Sequence, residues 1–327
     1  MNNLVKFALP ASLAVLLASC GQNNGTSTLP GAVGAQSQTH QTQIASKLQD
    51  GLQLGRVEMP IRGHQAVHRD LSGLLTWGNG AVQHNPVIYV IYWGWKDTAK
   101  NKKADPDDME PTLNKFLANV GGSNWLSTVT QYYDSTGDIN SPTGQYAYAT
   151  KKVACGVTGS HCIQDKTVPP LFPSDSQIQQ EAAKLVAKFG ANANASYVVQ
   201  TEHGHNTSGF GTEFCAYHGA FTSGGAIIAY TNLPYIPDAG ANCGAGFVNN
   251  PGTLDGVTIV EGHELAETQT DPGADYSGWG GPDGEIGDIC AWDSTTSNQA
   301  INGATFPVQP LYSDVASACT LTGPNGP

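Results

Sequence analysis

The sequence predicts a mixed α and β fold, α+β or α/β, in a single disulfide-bonded domain. Runs of β-branched and aromatic residues such as "PVIYVIYWGW" (86–95) are interspersed with segments of helical apolar spacing such as "SDSQIQQEAAKLVAKFG" (174–190). No internal repeat breaks this mixed order. Six cysteines downstream of the leader offer three bridges.

In order along the chain, residues 1–20 read as a lipoprotein signal peptide. One Lys (Lys6) precedes a short apolar run, and Leu17-Ala18-Ser19-Cys20 matches the bacterial lipobox, which makes Cys20 the lipidated residue. The apolar run is too short for a comfortable membrane-spanning helix. Residues 21–45, rich in Gly, Ser, Thr, Asn and Gln, read as a flexible tether. Residues 46–84, with His64 and His68, read as an N-terminal arm or pro-segment, and residues 85–327 as the folded domain.

Within that domain, "PVIYVIYWGW" predicts a buried strand. "MEPTLNKFLANV" (109–120) predicts a helix stopped at Gly121-Gly122, and "SNWLSTVTQYY" (123–133) a second helix. "QYAYATKKVA" (145–154) predicts a strand leading into a first disulfide. Residues 174–190 form the clearest helix, with Ser and Asp at its start, Ile178, Ala182, Leu185, Val186 and Phe189 on one face, and Gly190 as its stop. "ASYVVQT" (195–201) and "GGAIIAYTN" (224–232) predict strands. "LDGVTIVEGHELAETQTD" (254–271) predicts a helix ended by Pro272, because a residue before Pro is pushed out of helical geometry. The remainder is turn-rich. Sequence order pairs Cys155 with Cys162, Cys215 with Cys243, and Cys290 with Cys319. A zinc cluster is the rival use of these cysteines, but no C-x-x-C pair exists.

The chain has 327 residues, 39% hydrophobic and 13% charged, with a formal net charge of -12. The acidic excess argues against nucleic acid, since little here could neutralise a run of phosphates. A surface richer in Ser, Thr, Asn, Gln and Gly than in charge fits export.

The stretch that bears chemistry is "EGHELAETQTDP" (261–272). His263 and Glu267 are four apart and share one helix face. Glu264 is rotated about 100° from His263, near enough to reach a water on that face. This is the arrangement of H-E-x-x-H, in which two His bind zinc and the intervening Glu is the base, with Glu267 in place of the second His. A carboxylate is a legitimate zinc ligand. The competing reading is a solvated acidic helix face that happens to contain a His. A third ligand is needed, and the candidates rank Glu285 first and then Asp288, both in "DGEIGDIC", followed by His218 in "EFCAYHGAF" and lastly Asp271. Asp275, Asp283 and Asp288 in their Gly-rich loop offer calcium as an alternative, without EF-hand spacing.

"GHELAETQTDP" followed by Trp279, "GEIGDIC" and "FPVQPLYSDVASAC" resembles the phosphate-induced protein / EXORDIUM-like family and its bacterial secreted relatives. "VIYVIYWGW", "VGGSNWLSTVTQYY" and "FCAYH" fit the same pattern, and the likeness covers roughly residues 85–320. It implies an extracellular or wall-associated protein and carries over His263, Glu264, Glu267, Glu285 and Asp288 as motif positions, without supplying a reaction.

Other patterns are weaker. His203 and His205 in "TEHGHN" fit a loop at a strand end better than a metal pair. No G-x-S-x-G or phosphate loop is present. The sequence therefore predicts a zincin-like metallohydrolase domain with zinc as cofactor. A peptide or cell-envelope component is the expected substrate, and a lipid anchor fixes the chain to a bacterial membrane, facing the periplasm or cell exterior. The alternative is a non-catalytic envelope protein with a structural metal or none, or a carbohydrate-binding wall module.

Overall fold

The computed structural model describes residues 54–65, 75–95, 103–148 and 155–324. The signal peptide, Cys20, the tether and His68 lie outside the described residues. So do residues 149–154 of the strand expected at 145–154, while residues 145–148 are not strand.

In chain order the strands are β1 (Arg56–Pro60), β2 (Thr76–Trp77), β3 (Val87–Trp93), β4 (Tyr133–Asp134), β5 (Gly137–Asp138), β6 (Cys162–Asp165), β7 (Ala195–Thr201), β8 (Phe214–Ser223), β9 (Ala226–Leu233), β10 (Trp279–Gly280), β11 (Ser297–Ile301), β12 (Ala304–Val308), β13 (Leu311–Ser313) and β14 (Ala318–Thr320). The α-helices are α1 (Met109–Val120), α2 (Asp175–Phe189) and α3 (Asp255–Thr270). The central sheet runs β1-β8-β9-β7-β3-β6. It is parallel from β9 to β6 and antiparallel at the β8–β9 hairpin and at β1. The fold is thus α and β mixed on a mixed sheet.

Helices cover both faces, which explains why β3 reads as a continuous apolar run instead of an alternating one. Ile88, Val90 and Tyr92 turn to the layer that holds α1 and α3. Ile91 and Trp93 turn to the opposite layer, against Ile178, Ala182 and Leu185 of α2. Helix starts follow their capping chemistry. Asp105 accepts from the Met109 and Glu110 N–H groups at the start of α1, and Gln177 accepts from the Ser174 N–H at the start of α2.

Within the stretch expected as an N-terminal arm or pro-segment (46–84), β1 pairs with β8 at the edge of the main sheet, and Met59, Ile61, Leu75 and Val82 sit in the core. The helix expected at 123–133 is a 3-10 helix over Leu126–Gln131 only. Here Ser123, Ser127, Thr128 and Thr130 spend their hydroxyls on local bonds one turn away, a competition that disfavours a regular α-helix. "FCAYH", left without a secondary structure by pattern, lies in β8, a strand buried from Phe214 to Ala220.

The cysteines pair as sequence order predicts: Cys155–Cys162, Cys215–Cys243 and Cys290–Cys319. Disulfides persist in oxidising compartments, which fits an extracytoplasmic location. Among the described residues no helix is long and apolar enough to cross a membrane.

Candidate metal centre

Helix α3 has no solvated face. Every residue from Asp255 to Thr270 is buried, including Glu261, His263, Glu264 and Glu267, all 0% exposed. The helix is enclosed by the sheet on one side and by α1, the 3-10 helix at 126–131 and the β11–β12 hairpin on the others. Close approach requires small residues at its crossings. A Cβ at Gly256 would lie 1.8 Å from the carbonyl oxygen of Cys243, which is backbone that cannot swing aside. The acidic-surface reading of this helix is therefore excluded by its burial.

Two further segments converge on α3. Strand β8 places Ala216 on the α3 side of the sheet, and by the two-residue period His218 shares that face. The turn at 285–290 is clipped by the Cys290–Cys319 disulfide and by the Tyr312 N–H donating to the Ile286 carbonyl (2.9 Å). It carries Glu285 and Asp288 to the helix. Gly287 is needed for this contact, since a Cβ there would meet His263 Nδ1 at 2.7 Å and Glu267 Oε1 at 2.9 Å.

The resulting geometry joins all five motif positions and His218. His263 Nε2 lies 3.0 Å from Glu267 Oε1 and 3.4 Å from Asp288 Oδ1. His218 Nδ1 lies 3.2 Å from Glu264 Oε2 and 3.4 Å from Glu267 Oε2, and its Nε2 lies 3.4 Å from Glu285 Oε2. The Asp288 N–H donates to Glu267 Oε1 (3.1 Å), and the Glu285 N–H to Asp288 Oδ2 (3.2 Å). Of these side chains only that of Asp288 meets solvent, at 13% exposure.

Asp271, the last-ranked ligand candidate, has a different task. Its carboxylate accepts from the Asp275, Tyr276 and Gly278 N–H groups and so shapes the loop that follows α3. Of the three groups of the calcium alternative, Asp275 Oδ1 accepts from the Ser277 N–H and Asp288 faces His263. His203, on the loop after β7, pairs with Asp238 of the 3-10 helix Ile236–Cys243, and His205 Nδ1 lies 3.1 Å from the Pro170 carbonyl. Neither joins the cluster.

Burial opposes the charged form of every group here. In His218 the adjoining Glu264 and Glu267 outweigh burial and lift the imidazole to about 10. His263 is raised well above its ordinary range against the same penalty, by Glu267 and Asp288. Burial pushes the Glu264 carboxyl up, although His218 and His263 pull the other way. In Glu267 the two histidines overcome burial and hold the carboxyl low. Glu285 and Asp288 are raised by burial and then by like charge, chiefly Asp271 for the former and Glu267 for the latter. Glu261 is raised well above by burial and by Glu264.

These residues fit a divalent cation. His263 Nε2, His218 Nε2, Glu264 Oε1, Glu267 Oε2 and both Glu285 carboxylate oxygens are buried without a well-aligned hydrogen bond, although oppositely charged groups adjoin several of them. Buried polar atoms are normally satisfied, and groups that converge without hydrogen-bond geometry are what an ion would satisfy. His263, Glu267 and Asp288 bring ligand atoms within 4.8 Å of one another, so Asp288 is the third-ligand candidate that meets the helix pair directly. Gln309, which no sequence signal marked, completes the setting. Its Oε1 lies 3.4 Å from His263 Nδ1 and its Nε2 donates to the Gly287 carbonyl (2.8 Å). If His263 Nδ1 carries the proton, Nε2 is free to ligate.

Comparison of the chain with family models, curated proteins and solved structures finds no match.

Proposed function

We propose that this chain is a zincin-like, metal-dependent hydrolase acting on peptide bonds outside the cytoplasm. The observation that carries the reading is the convergence of His263 Nε2, Glu267 Oε1 and Asp288 Oδ1 in a buried cluster whose 285–290 turn is clipped by the Cys290–Cys319 disulfide. Imidazole with carboxylates is a zinc-type donor set, whereas calcium prefers oxygen alone. A bound cation would supply Lewis acidity and lower the pKa of a water. Glu264 would take the proton from the attacking water and return it to the leaving amine. Its carboxyl, raised by burial, suits both halves of that exchange. Gln309 would hold the His263 tautomer, and the Asp288 N–H would fix one oxygen of Glu267. Membership of the phosphate-induced / EXORDIUM-like family and a lipid anchor at Cys20 belong to the same reading and rest on the sequence motifs. Cys20→Ala should shift the protein from the membrane fraction to the soluble one, and unchanged partitioning would refute the anchor.

A second reading is favoured by one observation. His218, His263, Glu264, Glu267 and Glu285 are all 0% exposed, which is how a structural ion is enclosed. Glu264→Gln separates the two. It keeps a carbonyl oxygen and the side-chain shape but cannot accept a proton. Under the hydrolase reading it retains the ion at His263 and loses at least roughly 100-fold of the rate on casein or a peptide library. Wild-type protein that binds the ion and hydrolyses nothing supports the structural reading.

A further inference from the structure

We propose that the centre is dinuclear, with Glu267 bridging two divalent cations, one held by His263, Glu267 and Asp288 and the other by His218, Glu264 and Glu267. The inference rests on the metal reading above and assigns a second ion to the same site. Two groups of ligand atoms each converge within 4.8 Å, and Glu267 is the residue they share. Its two oxygens face different partners. Oε1 lies 3.0 Å from His263 Nε2, and Oε2 lies 3.4 Å from His218 Nδ1.

The two histidines reach the cluster from different elements. A ligating imidazole turns one nitrogen to the ion and engages an acceptor with the other. His263 points Nε2 into the cluster and has Gln309 Oε1 at Nδ1. His218 turns Nδ1 to the carboxylates, hydrogen-bonded to Glu264 Oε2 at 3.2 Å and 3.4 Å from Glu267 Oε2, while its buried Nε2, 3.4 Å from Glu285 Oε2, makes no hydrogen bond among the described residues.

Unpartnered atoms point the same way. Glu264 Oε1 and Glu267 Oε2 are fully buried and accept no hydrogen bond among the described residues. Mixed imidazole and carboxylate donors suit zinc, manganese or iron in both positions.

The test uses the full chain, freed of metal with a chelator and dialysed against Mn(II). Bound manganese is measured by elemental analysis and by electron paramagnetic resonance. The wild type should bind two equivalents and give the spectrum of an exchange-coupled pair. His218→Phe, close in shape and unable to ligate, should bind half as much and give an isolated-ion spectrum. Saturation of the wild type at one equivalent with an isolated-ion signal overturns the dinuclear proposal and leaves the single-ion reading standing. Two equivalents in His218→Phe overturn it as well. No bound manganese or zinc in folded wild type overturns both. The wild-type stoichiometry decides the matter even if the variant does not fold.

Discussion

Glu267 stands between two histidines from different elements, its Oε1 3.0 Å from His263 Nε2 on the same helix and its Oε2 3.4 Å from His218 Nδ1 on β8. Removing a partner from a buried charged pair strands the charge that remains. Glu267→Ala should therefore destabilise the metal-free protein by about 3–5 kcal/mol, measured by urea unfolding in the presence of chelator. Metal binding should be lost as well. A variant as stable as wild type would show that Glu267 does not hold the two imidazoles.

Gly287 sits where a Cβ would reach His263 Nδ1 at 2.7 Å and Glu267 Oε1 at 2.9 Å. Gly287→Ala should leave the sheet and disulfides intact while displacing the 285–290 turn. The expected cost is about 1–3 kcal/mol for overpacking and a roughly tenfold or greater loss of metal affinity. Titration calorimetry with Zn(II) measures the second effect. Wild-type affinity would mean that the turn does not contribute a ligand.

The Cys290–Cys319 bridge spans 29 residues and anchors the turn two positions beyond Asp288. Chain entropy assigns about 3.6 kcal/mol to a loop of this length. A Cys290→Ser, Cys319→Ser double variant should lose up to that stability. It should also bind metal more weakly than a Cys155→Ser, Cys162→Ser variant, whose bridge lies apart from the cluster. Equal metal affinity in the two would separate the disulfide from the site.

Asp165, at the end of β6, accepts from the Thr167 N–H and pairs with Lys184 of α2. Burial pushes its carboxyl up, but Lys184 and Thr167 outweigh that and hold it below its ordinary range. A carboxyl with a depressed folded-state pKa contributes stability above its unfolded pKa and loses it as pH falls through the folded value. Asp165→Asn should thus be less stable than wild type at pH 7 by about 1 kcal/mol, and the gap should close as pH falls below about 3.9. Paired thermal melts across that range measure it, and a gap independent of pH would contradict the assignment.

The sequence made some of this legible and concealed the rest for physical reasons. Helix α3, the β7 and β9 strands and the three disulfides follow from periodicity, turn residues and cysteine order, all of which are local signals. His263 and Glu267 share a face because four residues make about one turn. The burial of α3 was not legible, because a helix carrying Glu261, Glu264 and Glu267 has the composition of a wet surface. Only the surrounding sheet, helices and hairpins reveal that it has none. The convergence of His218 depends on the register of β8 against α3, a long-range relation no spacing encodes. Gln309 gave no signal at all, since an amide between Val308 and Pro310 resembles any loop polar residue. Strand β1 was hidden because five residues with an edge-strand pattern look like scattered apolar positions.

The central claim is that His263, Glu267 and Asp288 hold a metal ion. Crystals of the wild-type protein grown with Zn(II) and measured on both sides of the zinc absorption edge test it most directly. The account predicts an anomalous peak within coordination distance of His263 Nε2, Glu267 Oε1 and Asp288 Oδ1. Crystals grown at saturating Zn(II) with no anomalous density at that point, and the two histidines hydrogen-bonded to the carboxylates in its place, would contradict it.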